Sequence, residues 1–332
     1  MAQAKVLTLF SRRECACLLE VVTFGESMVL FTPDSSSLEQ ATNFTKRMAG
    51  AEGNVAVALA RLGHQVAWIS KLGDDGFGRY IVKTLRGEGV DVQHVQFDRD
   101  RPTAVFFKER SELYGTNVQY YRNHSAVSQL AVADVPLADF KEIGFLHVTG
   151  ITPALSDLNR QTVLTILQRA KAQGIRVSFD PNIRFKLWSQ ETAIPVLREM
   201  AKYASVALPG LEEGELLTGS DKPEAIAAWF LAQGCELVVV KLGSQGAYYQ
   251  TADTSGYVDG FTVKLVDEVG AGDAFAAGLL SGLLEHVPVA DAVRRACALG
   301  AIAVCGVGDY ESSPTRAELT AFLSGQTTDV KR

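Results

Sequence analysis

The 332-residue chain lacks most of the features that announce a function directly. No apolar run approaches the roughly 18–20 residues that a membrane-spanning helix needs, so no membrane partner is expected. Cysteine is sparse and odd in number, at positions 15, 17, 235, 297 and 305. Cys15 and Cys17 form a single C-x-C without a second pair, poor spacing for zinc, and reduced thiols in the cytoplasm are the simpler reading. The five histidines (64, 94, 124, 147 and 286) include no pair at helical spacing, which leaves no basis for a histidine metal site. Neither sign of charge dominates: 32 Lys and Arg against 38 Asp and Glu leave a net −6 with no like-charged block, so no nucleic-acid partner is expected. Proline numbers only 10 and apolar residues reach 47%, which excludes disordered and collagen-like chains.

Familiar site patterns are absent too. No Gly-Lys pair occurs, so there is no G-x-x-x-x-G-K-[ST] phosphate loop. The nearest approach to G-x-G-x-x-G runs from Gly270 to Phe275, has Phe in the last place, and lies late in the chain, which disfavours a dinucleotide fold. No G-x-S-x-G elbow exists.

What is present is a rhythm. Short apolar strands are expected at Val21–Phe24, Val66–Ser70, Phe145–Val148, Ile175–Phe179, Val206–Leu208 and Leu237–Val240. Between them, helical periodicity runs through Asn54–Leu62 and residues 157–173, 190–203 and 222–233, and two helices fill Gly272–Cys305 with a third at 314–324. Near-continuous apolar strands separated by helices predict a parallel sheet covered on both faces. Residues 92–122 break the rhythm with Val95–Phe97, Thr103–Phe107 and Asn117–Tyr121, which read as successive strands without helices. With the segment 29–47 they predict a small antiparallel sheet, a lid, standing off the main domain. The first 19 residues are expected to be an extension and 326–332 a tail.

The sharpest local signal is Asp267-Glu-Val-Gly270-Ala271-Gly272-Asp273, which leads into an Ala-rich helix. The two glycines let backbone N–H groups converge at the positive end of a helix, a ready anion site. A carboxylate there opposes a bound phosphate unless it takes the proton of an attacking hydroxyl while the amides hold the transferring group. An ordinary carboxylate, with pKa of ~4, is a poor base for an alcohol, so proton transfer is expected to be late.

This stretch resembles the signature of the ribokinase-like (PfkB-type) carbohydrate kinases, Asp-Thr-x-Gly-Ala-Gly-Asp, with Glu268 in the Thr position. The family's N-terminal signature is matched by Ala49-Gly50-Ala51-Glu52-Gly53-Asn54, then Leu62-Gly63 and Lys71-Leu72-Gly73-Asp74-Asp75-Gly76-Phe77-Gly78. Within the family the likeness is greatest to kinases of 2-keto-3-deoxygluconate, through Gly50-Ala51-Glu52, Tyr120-Tyr121-Arg122, Leu146–Ser156 and Gly308-Asp309. The resemblance implies a three-layer α/β domain over 20–325 with a mostly parallel sheet and the antiparallel lid, the lid also serving homo-oligomer formation. It implies Mg²⁺-ATP as phosphoryl donor and a small sugar acid as acceptor at its 6-hydroxyl.

The same resemblance assigns Asp273 as catalytic base and Gly270, Ala271 and Gly272 as the anion hole. Gly50, Ala51, Glu52, Asn54, Tyr120, Arg122, Arg184, Asp267 and Asp309 are the implied substrate contacts. Asn182, Arg184, Lys241, Gly243 and Gly246 join Gly270 and Gly272 around ATP. Glu213 would organise Mg²⁺ indirectly, although Gly210 stands where the family carries Asn. A substrate carboxylate calls for a cationic fork, for which Arg122 and Arg184 are the candidates. Phe106 stands where these kinases can carry a lid tyrosine. A fructokinase or other ketose kinase is the nearest alternative, and a non-catalytic sugar-acid sensor is the alternative of another class.

Overall fold

A computed structural model describes residues 19–325 apart from 36, 112–114 and 141; the terminal segments expected as extension and tail, and the Cys15–Cys17 pair, lie outside the described residues, save for 19. In the first half of the chain the elements are β1 (Val21–Phe24), β2 (Met28–Pro33), β3 (Phe44–Ala49), α1 (Ala51–Arg61), β4 (Val66–Ile69), β5 (Lys71–Gly73), α2 (Gly76–Gly87), β6 (Gln96–Asp98), β7 (Val105–Ser111), β8 (Gly115–Tyr121), β9 (Phe145–Thr149) and α3 (Asp157–Ala172). The second half adds β10 (Val177–Asp180), α4 (Gln190–Ala201), β11 (Val206–Ala207), α5 (Leu211–Thr218), α6 (Pro223–Ala232), β12 (Leu237–Lys241), β13 (Gly246–Gln250), β14 (Ser255–Asp259), α7 (Ala271–Leu284), α8 (Val289–Ala303) and α9 (Arg316–Leu323). No described helix is long and apolar enough to cross a membrane.

The central sheet has the order β14-β13-β12-β11-β10-β9-β1-β4. Its strands are parallel from β4 to β12, and β12-β13-β14 close the edge as antiparallel hairpins. Successive residues of β1 point to opposite cores: Val21 packs with α1, α7 and α8, whereas Val22 and Phe24 pack with α3, α4 and α6. Alternation of fully apolar strands between two cores is what makes the domain three-layered. Because β1, β9, β10 and β12 run the same way, the loops after all four emerge along one edge, where open α/β sheets place their ligands.

The second sheet, ordered β3-β2-β7-β8, is the lid. Its outer pairs β2-β3 and β7-β8 are antiparallel, while β2 and β7 at the centre run parallel. Both of these strands leave the body in the same direction, so adjacency makes them parallel. The expected strand at 95–97 is not in the lid: β6 pairs in parallel with β5 as a separate two-stranded sheet. Two helices escaped the periodicity reading. The glycine-rich stretch 73–78 is the start of α2, capped by Asp75, whose Oδ1 accepts from Phe77 N and Gly78 N, and its inward stripe is Ile81, Val82 and Leu85. Helix α5 has only eight residues, too few for a periodic signal.

Candidate functional site

Between lid and body lies a cleft of about 700 Å³. The body contributes Glu26, Gly50, Ala51, Asn54, Ile151, Asp180 and the run Asn182–Leu187 to its walls, and the lid contributes Phe106, Lys108, Val118, Tyr120 and Arg122. Strand alternation sets the lid's faces: Phe106 and Tyr120 are register partners stacked at 5.3 Å on the cleft side. Phe31, Phe44, Phe107 and Tyr121 form a cluster of aromatic contacts on the other face.

At the cleft floor α7 begins. Gly270, its N-cap, has φ of 80°, and a Cβ there would lie 1.9 Å from the Asp309 carbonyl oxygen, so the turn exists only with glycine at that place. Asp273 in the first helical turn is buried and accepts from Asn54 Nδ2 at 2.8 Å. Burial pushes its carboxyl up to about 7; Asp180 adds to the rise, while the Asn54 bond, Arg184 and Lys241 oppose it. The expectation of an ordinary carboxylate is therefore corrected: burial brings its proton affinity into the range of a useful base.

A second cavity of about 630 Å³ lies on the far side of the same helix start, walled by Gly243, Gly246, Phe275, Cys297 and Gly300 among others. Lys241, Glu268 and Gly272 line both cavities, so the two open onto each other at the N-terminus of α7. Gly270 faces the first and Ala271 the second. Lys241 Nζ donates to Asp180 Oδ2 at 2.7 Å. Burial opposes the ammonium charge, but Asp180, Glu213 and Asp273 outweigh that and hold the group above its ordinary range.

The remaining sequence-derived residues divide. Gly50, Ala51, Asn54, Tyr120, Arg122, Arg184 and Asp309 all line the first cleft. Asn182, implied for ATP, also lines that cleft and not the second cavity; it has a positive φ of 38°, and its Oδ1 is buried without a partner. Asp309 likewise has an unpartnered buried Oδ1, and burial raises its carboxyl to about 7. Arg184 and Lys186 are exposed in the cleft, and among the described residues neither makes an ion pair. Arg122, by contrast, is closely paired with Glu26, although its Nε is buried and free of partners. Burial raises the Glu26 carboxyl in spite of that pairing.

Two assignments need correction. Glu52 does not reach the cleft: it is fully buried, its Oε1 accepts from Thr149 and Thr152 hydroxyls at 2.7 and 2.8 Å, and burial raises it to about 7. Helix α1 turns it toward the ends of β9, not toward the ligand. Asp267 is also behind the wall, its carboxylate accepting from Lys108 Nζ at 2.8 and 3.1 Å. Glu213 lines the cleft, but its two oxygens accept from Ile183 N and Gly210 N at 2.8 Å each, so it braces the loop after β10. Glu26 and Lys108 were missed by sequence reading, because their partners lie 96 and 159 residues away.

Residues 18–316 match the pattern of the pfkB family carbohydrate kinases. The chain is 43% identical over 314 residues to 2-dehydro-3-deoxygluconokinase of Bacillus subtilis (strain 168), covering 93% of this chain and 97% of the relative. It superposes with a TM-score of 0.82 on the fructokinase of Vibrio cholerae O395, solved with fructose, ADP and calcium ion, at 33% identity over 92% of this chain and 99% of that one. A protein described as ribokinase II from E. coli, solved with ATP and Mg²⁺, gives a TM-score of 0.86 at 27% identity, covering 93% and 100%.

Proposed function

From its membership of the pfkB family of carbohydrate kinases, to which this chain belongs, we propose that it phosphorylates the 6-hydroxyl of 2-keto-3-deoxygluconate with ATP as donor. The carrying observation is a buried carboxylate, Asp273, at the helix start where two cavities of substrate size meet. In this reading the sugar acid occupies the lid cleft and ATP the second cavity, with its terminal phosphate entering past Lys241 and Gly272. Asp273 takes the hydroxyl proton; the first-turn amides of α7, which have no helical carbonyl to bond, receive the charge of the migrating group. Arg184, whose charge already reaches Asp273, closes the cleft side. Unpartnered Asp309 Oδ1, Asn54 Oδ1 and Asn182 Oδ1 are acceptors suited to sugar hydroxyls. Tyr120, Gly50 and Ala51 shape the remaining walls.

Mg²⁺ fits this donor set as a companion of the nucleotide: Asp180 and Glu213 are the cleft carboxylates beside Lys241 that would face it, through water where their oxygens are already engaged. Bound there, it would neutralise phosphate charge. The aromatic outer face of the lid, where Tyr121 is 61% exposed, supports association of copies through the lid. An ATP-consuming step on a small acid belongs in the cytoplasm.

Arg122 is the carboxylate reader in this proposal. Its Nη2 is held by Glu26, which fixes the fork, and Arg122 lines the cleft, where the outer part of the guanidinium would meet the substrate. The test compares kcat/KM on 2-keto-3-deoxygluconate and fructose. The sugar acid should be preferred at least about 10-fold, and Arg122→Ala should cost it about 100-fold while fructose loses much less. A preference for fructose overturns the substrate assignment, and equal losses remove Arg122 from carboxylate recognition.

The raised carboxyls also fix a pH dependence. A base must be unprotonated, so kcat/KM should fall as pH drops through about 7. Glu52 and Asp309 rise to about the same value, and the Asp273 charge contributes to both, so the acid limb belongs to the three together. A kcat/KM profile whose acid limb lies near 4 would contradict the enclosure of Asp273.

A further inference from the structure

Among the described residues, two ion pairs between lid and body are buried on both sides: Arg122–Glu26 and Lys108–Asp267. The first belongs to the cleft just described. The second joins the middle of β7 to the residue that opens the turn before α7. We propose that Lys108 is a positioning residue for phosphoryl transfer, which fixes the 267–272 turn from the lid so that the anion hole is set only with the lid seated. This rests on the kinase reading of the site.

Four observations carry it. Lys108 reaches both Asp267 oxygens, at 2.8 and 3.1 Å, which fixes the direction of that carboxylate as well as its charge. Asp267 Oδ1 also accepts from Val269 N at 3.4 Å, so the lid lysine is linked to the turn's own backbone. The turn is locked in the other direction by Gly270 against the Asp309 carbonyl. Asp309 itself faces Lys108, whose charge opposes the effect of burial on its carboxyl. One ammonium thus ties β7 to the transfer turn and stands near enough to the Asp309 carboxyl for its charge to act there. A buried pair of this kind gives little net stability over two apolar side chains. Its placement between the lid sheet and the turn before α7 therefore serves positioning.

The test uses the full chain with K108M, K108R and the neutral pair K108M/D267N. Amide exchange is read in the ligand-free protein, and kcat and KM for ATP with both substrates present. K108M should lower kcat about 100-fold with KM for ATP changed less than about threefold. Exchange at 268–272 and 308–309 should rise at least about 10-fold without a matching rise in the central strands. K108R should keep the turn protected and regain most of kcat. The double variant removes both charges of the pair, so it decides the matter should K108M fail to fold; it should fold with a loosened turn and a low kcat. Unchanged exchange in the turn, a uniform rise throughout the chain, or wild-type kcat in the double variant would each overturn the role of Lys108. Because exchange is read without ligands, a wrong substrate assignment shows separately, as a wild-type protein that does not turn over the sugar acid.

Discussion

Asp273→Asn should lower kcat by about 10³–10⁴-fold while ATP binding is kept. The substitution is nearly isosteric, and the new amide oxygen can still accept from Asn54 Nδ2, which now donates to Asp273 at 2.8 Å. What disappears is the lone pair that takes the hydroxyl proton, while Lys241 and the helix start remain to hold the phosphates. Stability should move the opposite way. The folded carboxyl sits at about 7 against an unfolded value of 3.8, so the native state binds its proton more tightly than the unfolded chain. The charged form is therefore a burden on the fold above pH 7 and none below about pH 4. Asp273→Asn should raise Tm relative to wild type at alkaline pH, with the gain fading in acid, as expected where a catalytic group is held in an unfavourable environment for function. Turnover above about a tenth of wild type would remove Asp273 as the base.

The Gly-Ala-Gly-Asp turn was legible because its chemistry is local: seven consecutive residues hold the glycines, the helix start and the carboxylate. The parallel sheet was legible for a similar reason, since each strand is a short β-branched run and each crossover a helix. The lid was readable as a place without helices, but not in its detail. Which strands pair there depends on where chain segments leave the body, and that sent β6 to β5 instead of into the lid. The site's ionic wiring was invisible for a deeper reason. Arg122 read as a free fork and Asp267 as a ligand contact because no sequence rule places Glu26 or Lys108 beside them across 96 and 159 residues. Glu52 sits two residues from Asn54 in one motif, yet the helix turns the two apart. Asn54 faces Asp273 and Glu52 faces Thr149 and Thr152.

Of the five cations that line the cleft, three are already engaged: Lys108 by Asp267, Arg122 by Glu26 and Lys241 by Asp180. Pairing holds these groups in place without ligand, which lowers the reorganisation required when anionic groups arrive. The exposed Arg184 and Lys186 share one loop, whose Ile183 amide is held by Glu213. Through that brace Glu213 sets where the two exposed cations stand, although both its oxygens are committed to backbone.

Gly270→Ala tests the geometry of the turn itself, and its effect should be second only to loss of the base. The residue must accept φ of 80°, which costs an alanine about 1–2 kcal/mol. The larger problem is steric, because the new methyl group would meet the Asp309 carbonyl oxygen at 1.9 Å, and a backbone atom cannot swing aside as a side chain would. Either the 308–309 loop or the turn must move, and both carry groups of the transfer site. A displacement of this size should cut kcat at least about 100-fold and lower Tm. Gly272→Ala supplies the control two residues on. Its Cβ would find only Lys241 Nζ, at 3.7 Å, and the position lies inside α7 where alanine is favoured. That variant should fold at least as well as wild type, and any loss in its kcat reports only how closely phosphate approaches the helix start. If Gly270→Ala were as active as Gly272→Ala, the contact between the turn and the Asp309 loop would have no part in catalysis.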